Sequence, residues 1–166
     1  MKKDELEREV NRLVESQQRG MLSTYAEVDN DIEKLQAAGF PFGSVVRYVI
    51  GQSDEYTGMP ILMLSRIAEH SKHISHNNKA SLLISDQETH DDVQQTARVT
   101  LLGTMIKLDA DDPALQQDGE AYFQQYPETR DYFQLLDFDF YYLYVEKKRY
   151  VAGFGRAHWL KNPNAL

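Results

Sequence analysis

The chain has 166 residues, 42% hydrophobic and 27% charged, which suits one globular domain with a core large enough to need no staples. It contains no cysteine, so disulfides, thiolate metal sites and cysteine nucleophiles are excluded, and a reducing, cytoplasmic setting is expected. Eighteen basic against 26 acidic residues give a net charge of −8, and the one basic run is Lys147-Lys148-Arg149, so no nucleic-acid partner is expected.

The chain opens MKKDELEREV, too charged for the apolar stretch of a signal peptide. No apolar run approaches the ~20 residues of a membrane helix, so no membrane partner is expected. Asp4 followed by Glu7 resembles a capping box, and Leu6, Val10, Leu13 and Val14 recur at helical spacing. This predicts an amphipathic helix ending near Gly20. Residues 21–28 and 42–50 are rich in β-branched and aromatic side chains and read as strands, bounded by Gly20, by Gly39 with Pro41, and by Gly51. Met59-Pro60 opens a short run ending at Ser65. Residues 66–77 are helical in pattern, with Ile67 and Ile74 on one face and Ser65 placed as N-cap.

Residues 80–85 and 97–108 read as strands. An acidic stretch at 109–113 leads into one or two short helices ending near Leu136. Two closing strands, 139–146 and 149–154, are expected with a tight charged turn between them, and residues 157–160 add a last strand. With no repeat and no Pro/Gly/Ser linker, this is a single domain over 1–166. The fold class is mainly β: about six strands in a closed or nearly closed barrel with peripheral helices, an arrangement that hides strand edges. In DFDFYYLYV nearly every residue is bulky, so both faces of that strand are buried, one by the barrel core and the other by a helix or a second subunit. The pattern favours a homodimer.

The stretch 64–84, LSRIAEHSKHISHNNKASLLI, carries the most chemistry. A strand ends at Leu64, Ser65 follows, and His70 and Lys72 fall in the second turn of the expected helix. A helix start offers unpaired N–H groups and partial positive charge, which suit a phosphate. A hydroxyl and nearby cations would add charge-assisted hydrogen bonds.

Along the chain FPFGSVVRY is followed by LSRIAEHSKHI, NNKASLLI, QTARVTLLG and YVAGFGRAHWL. That succession resembles the pyridoxamine 5′-phosphate oxidase-like FMN-binding split-barrel superfamily, and within it the haem-utilisation (HugZ-like) branch, from about Gly20 to Leu160. The resemblance implies a six-stranded split barrel, a homodimer, and FMN in the grooves between subunits. It places Ser44, Val45 and Val46 beside the flavin ring and ribityl chain. It places Leu64, Ser65, His70 and Lys72 at the phosphate, and Arg98 near the flavin. It further implies a flavin-dependent oxidoreductase whose substrate the motifs do not name. His73 stands where the family motif usually carries Asn. The ending RAHWLKNPNAL lacks the Arg-containing segment that serves the true oxidase, so oxidation of pyridoxamine phosphate is not expected.

Haem is the alternative ligand. HugZ-like proteins bind haem, and some members degrade it, with an axial His from a C-terminal extension. The sequence ends at Leu166 and its one late histidine is His158, in the last expected strand. His70, His73 and His76 form an HxxHxxH series, but steps of three turn a helical side chain by about 300°, so one metal ion could hardly collect all three. His90, Asp91 and Asp92 read as a solvated loop. Gly153-Phe154-Gly155 follows a closing strand without a helix after it, and marks a close backbone approach rather than a nucleotide loop. Trp159 could wall the flavin from the partner subunit, but core packing is its default expectation.

Overall fold

A computed structural model describes residues 3–28, 35–86 and 92–162 of the chain. The N-terminal helix α1 (Lys3–Ser16) turns Leu6, Val10, Leu13 and Val14 inward. Asp4 lies within its first turn, where its charge faces the positive end of the helix, rather than before it as a cap. Strands β1 (Arg19–Thr24), β2 (Phe42–Arg47), β3 (Val49–Ile50) and β4 (Pro60–Ser65) follow, then α2 (Glu69–His76), β5 (Lys79–Ser85) and β6 (Arg98–Lys107). Helices α3 (Pro113–Gln125) and α4 (Thr129–Leu135) lead to β7 (Phe138–Val151) and β8 (Ala157–Lys161). The mainly β class and the barrel architecture are as expected. β1, β2, β4, β5, β6 and β7 form the frame, and the short β3 and β8 extend it.

All pairings are antiparallel, in the order β2-β1-β5-β6-β7-β4-β3, with β8 on β7. β2 and β3 are neighbours in sequence yet stand at opposite ends of this order, so the chain crosses the split of the barrel at one residue, Tyr48. Tyr48 is buried there: its hydroxyl donates to the Val14 carbonyl (2.7 Å), and its own carbonyl accepts from the Tyr126 hydroxyl (2.9 Å). The inner core joins Leu22, Leu62, Leu82, Leu101 and Leu143 to the apolar stripe of α1, which covers the barrel's mouth.

One expectation about the closing strands is corrected, and another resolves toward its helix alternative. Residues 138–151 form one continuous strand, with no turn at Lys147. The charged run instead marks a β-bulge: Leu102 pairs with Lys147 and Gly103 with Val145, leaving Glu146 unopposed. The doubly buried face of this strand is covered by helices. Phe140 and Tyr142 pack with Ile61 and Met63 against Ala114 and Tyr122 of α3, with Phe133 of α4 alongside. The pattern in DFDFYYLYV therefore carries no argument for a second subunit.

Candidate functional site

The split between β2 and β4 opens as a groove of about 380 Å³. Period-2 alternation on β2 turns Val45 and Arg47 outward while Val46 enters the core. β4 contributes Met63, Leu64 and Ser65, and α2 contributes His70. Glu128, Thr129 and Tyr132, where α3 gives way to α4, form the far wall with Phe138. The groove thus collects Val45, Val46, Leu64, Ser65 and His70 of the expected site. Ser44 joins them through its hydroxyl, 3.1 Å from His70 Nδ1.

The helix start differs from expectation. Ser65 is the last residue of β4, and α2 begins at Glu69 with Ala68 in the N-cap position and no side-chain cap. Arg66 and Ile67 are held out of the helix because the Arg66 amide donates to the Asp137 carbonyl (2.8 Å), and Ile67 is 75% exposed. His70 and Lys72 therefore lie in the first turn of α2 rather than the second.

Charge at this helix start is already balanced. Glu69 sits in the first turn, accepts from the Ala37 amide (3.2 Å), and lies 3.8 Å from the Lys72 ammonium. Lys72 is not among the residues that line the groove. Arg66 holds Asp139 through Nε and Nη2 (2.9 and 3.0 Å), and Lys107 holds the same carboxylate (2.8 Å). Burial alone would raise the Asp139 pKa; the hydrogen bonds from Arg66 and Lys107 outweigh it and hold the carboxyl below its ordinary range. At the groove mouth Arg47 pairs with Glu128 and lies over the Tyr126 ring.

α2 also holds buried polar atoms without hydrogen-bond partners: Nε2 of His70, Oγ of Ser71 and Nε2 of His73. His73 is fully buried, with Nδ1 3.3 Å from the Thr24 hydroxyl and Nε2 3.6 Å from Glu69, while His76 is exposed. The three histidines do not converge. Burial lowers the His70 pKa, and the nearby His73 adds to the effect. As pH falls below 6.5, the unfolded chain takes up this proton before the folded chain does. Stability should therefore drop from that pH down to the depressed folded value. Urea midpoints measured at about pH 7 and about pH 5 check this: His70→Asn should flatten the drop, and an equally steep drop in the variant would exclude His70 as its source.

Arg98 is not brought to the groove. It starts β6 and donates from Nη1 to the carbonyls of Val93 and Thr96 (both 3.1 Å). It belongs instead to the outer face of the sheet, which α3 and α4 cover over β4 and the first half of β7 and which is exposed over β2, β1 and β5. Register places Val45, Met21 and Leu83 side by side on β2, β1 and β5, with exposures of 70%, 40% and 38%. The same row continues through Thr100 and Arg149 to Trp159, which lies under the Arg149 guanidinium (5.2 Å) and is 60% exposed rather than in the core. Two residues along β2, β1 and β6, Arg47, Arg19 and Arg98 share this face, with Ser85 of β5 between Arg19 and Arg98 and with Arg47 paired to Glu128. Met21, Leu83 and Arg19 were missed in the sequence, because only the register of β1 against β2 and β5 brings them beside Val45. Gly153 does mark a close approach: a Cβ there would lie 3.1 Å from the Gln95 carbonyl oxygen. His90 and Asp91 lie outside the described residues.

The chain belongs to the family described as CREG, beta-barrel, whose model matches residues 4–165. It is 32% identical over 142 residues to the chloroplastic heme oxygenase HOZ of Arabidopsis thaliana, covering 83% of this chain and 37% of that protein. The structure of a heme binding protein from Mycobacterium smegmatis is similar at 27% identity and TM-score 0.74, over 92% of this chain and 56% of that one. Campylobacter jejuni ChuZ shares the fold at 20% identity and TM-score 0.77, over 99% of this chain and 62% of that one. The chain therefore spans between 37% and 62% of the length of these relatives. The haem-utilisation branch fits these neighbours.

Proposed function

We propose that this chain binds haem as a homodimer, on the open face of its sheet. The observation that carries the reading is the apolar row Val45–Met21–Leu83 beside the row Arg47–Arg19–Arg98. Three adjacent strands span roughly 10 Å, and two residues along a strand span about 7 Å. Those dimensions match a flat apolar macrocycle whose carboxylates extend from one edge. A single sheet face covers one side of such a ring, and a second copy of the same face would cover the other, which is why a dimer belongs to the proposal. The names of the Arabidopsis and Mycobacterium relatives support haem over other planar anions.

FMN is the second reading, with a flavin-dependent oxidoreductase as its activity. It rests on the groove that gathers Ser44, Val45, Val46, Leu64, Ser65 and His70. A phosphate there would have to compete with Glu69 and Asp139 for Lys72 and Arg66, the cations they already hold.

Titration of the purified protein with hemin and, separately, with FMN tests both readings by absorbance. Hemin should give a saturable Soret band, and the Arg19→Ala/Arg98→Ala pair should weaken it about tenfold or more. Leu83→Glu should abolish the band and leave a monomer in sedimentation. Tight FMN binding with no saturable Soret band would overturn the haem reading in favour of flavin.

A further inference from the structure

Where α1 crosses the mouth of the barrel it leaves a cavity of about 230 Å³, on the other side of the sheet from the open face. Its floor is apolar. Val14 of α1, Leu101 of β6 and Val145 of β7 meet there, and Met59 closes it by accepting the Val145 amide on its sulfur (3.3 Å). That contact exists because the bulge at Glu146 turns the Val145 N–H out of the ladder.

The rim is polar and carries more positive than negative charge. Lys148 pairs across from Leu101, so its stem lies along the apolar floor and its side chain is only 21% exposed. Its ammonium lies 3.4 Å from Glu7, the one carboxylate in the lining, while Lys161 adds a second ammonium and Asn11 and Asn162 add amides. Lys72, Lys79 and Lys107, by contrast, have side chains 44%, 60% and 51% exposed. Lys148 is thus a largely buried cation at the edge of the cavity, held by one long ion pair.

We infer that this cavity is a binding site for a small amphipathic carboxylate, with its hydrocarbon end on Leu101, Val145 and Met59 and its carboxylate on Lys148. The cavity is smaller than the roughly 300–1,000 Å³ of drug-sized sites, so the guest is a short-chain acid rather than a macrocycle. A carboxylate entering here replaces Glu7 as the partner of Lys148, and its hydrocarbon end gains contacts with Leu101, Val145 and Met59. The site is independent of haem binding on the outer face.

Amide chemical shifts of the full chain, followed during titration with hexanoate, hexanol and hexylamine, test the inference. Hexanoate should perturb the Leu101 and Val145 amides saturably at about millimolar concentration or below, with hexanol about tenfold weaker and hexylamine silent. Lys148→Met should weaken hexanoate about tenfold, and Glu7→Gln should strengthen it by removing the competing carboxylate. Should Lys148→Met fail to fold, the gain in Glu7→Gln still decides. Equal binding of hexanoate and hexanol, no saturable shift, or shifts confined to the outer face and the groove would overturn the proposal.

Discussion

Gly103→Ala is expected to lower the stability of the fold by about 3 kcal/mol, seen as a fall in the urea midpoint with an unchanged slope. Gly103 sits in β6 at the bulge, where the register to β7 shifts by one residue. A Cβ there would lie 2.0 Å from the Tyr144 carbonyl oxygen and 2.7 Å from its carbonyl carbon. Both atoms belong to the backbone of the longest strand in the sheet, so no side-chain rotation relieves the clash. Gly58→Ala is the control. Its Cβ would meet open space, but its φ of +79° puts a side chain in the left-handed region, and the expected cost is about 1 kcal/mol. Equal midpoints for the two variants would mean that β7 shifts freely at the bulge.

Asp118→Ala should cost a comparable amount, about 3 kcal/mol, for a different reason. The carboxylate of Asp118 is almost fully buried beneath the 51–59 segment. It accepts from the Gln52 amide (2.9 Å), the Ser53 amide (3.3 Å), the Ser53 hydroxyl (2.8 Å) and the Tyr142 hydroxyl. Burial raises the Tyr142 pKa, and its hydrogen bond to Asp118 raises it further, so the phenol stays protonated and donating. Truncation leaves these donors buried without an acceptor, each a desolvation cost with nothing in return. Asp118→Asn keeps the shape but turns N–H groups toward other donors, so it should fall between alanine and the parent in the same denaturation series. An alanine variant as stable as the parent would show that water replaces the carboxylate.

Much of the frame was legible because its signals are local. The alternation in residues 42–47 and 98–107, and the helical spacing of Leu6, Val10, Leu13 and Val14, are properties of single elements and gave their type, although the helix ends at Ser16 rather than near Gly20 and the expected strand 42–50 breaks at Tyr48 into β2 and β3. What was not legible depends on distant partners. Lys147-Lys148-Arg149 reads as a turn because charged residues usually end strands, yet β6 on one side and β8 on the other hold it extended. Ser65 reads as a cap because it precedes a helical pattern. The hydrogen bond from the Arg66 amide to Asp137, 71 residues on, keeps the chain extended past it.

The site divides in the same way. Ser44, Val45, Val46, Leu64, Ser65 and His70 were found together because two short motifs carry them and the split brings those motifs into one groove. Lys72 and Arg98 do not join them. Lys72 leans toward Glu69 one helical turn away, and Arg98 belongs to the opposite end of a strand whose face was not assigned from sequence. The neighbours Arg19, Met21 and Leu83 emerge only once the register of β1 against β2 and β5 is known.

The strand order also fixes when the molecule can finish folding during synthesis. β4 pairs with β7 on one edge, Leu62 against Tyr141 and Met63 against Phe140, so almost eighty residues must leave the ribosome before PILML gains that partner. β6 likewise waits for β7. Until residue 151 has emerged, the nascent chain carries an unmatched apolar segment with high β propensity, a natural target for a holdase chaperone. Translation that stalls between β6 and β7 should therefore yield aggregating fragments rather than a smaller folded barrel.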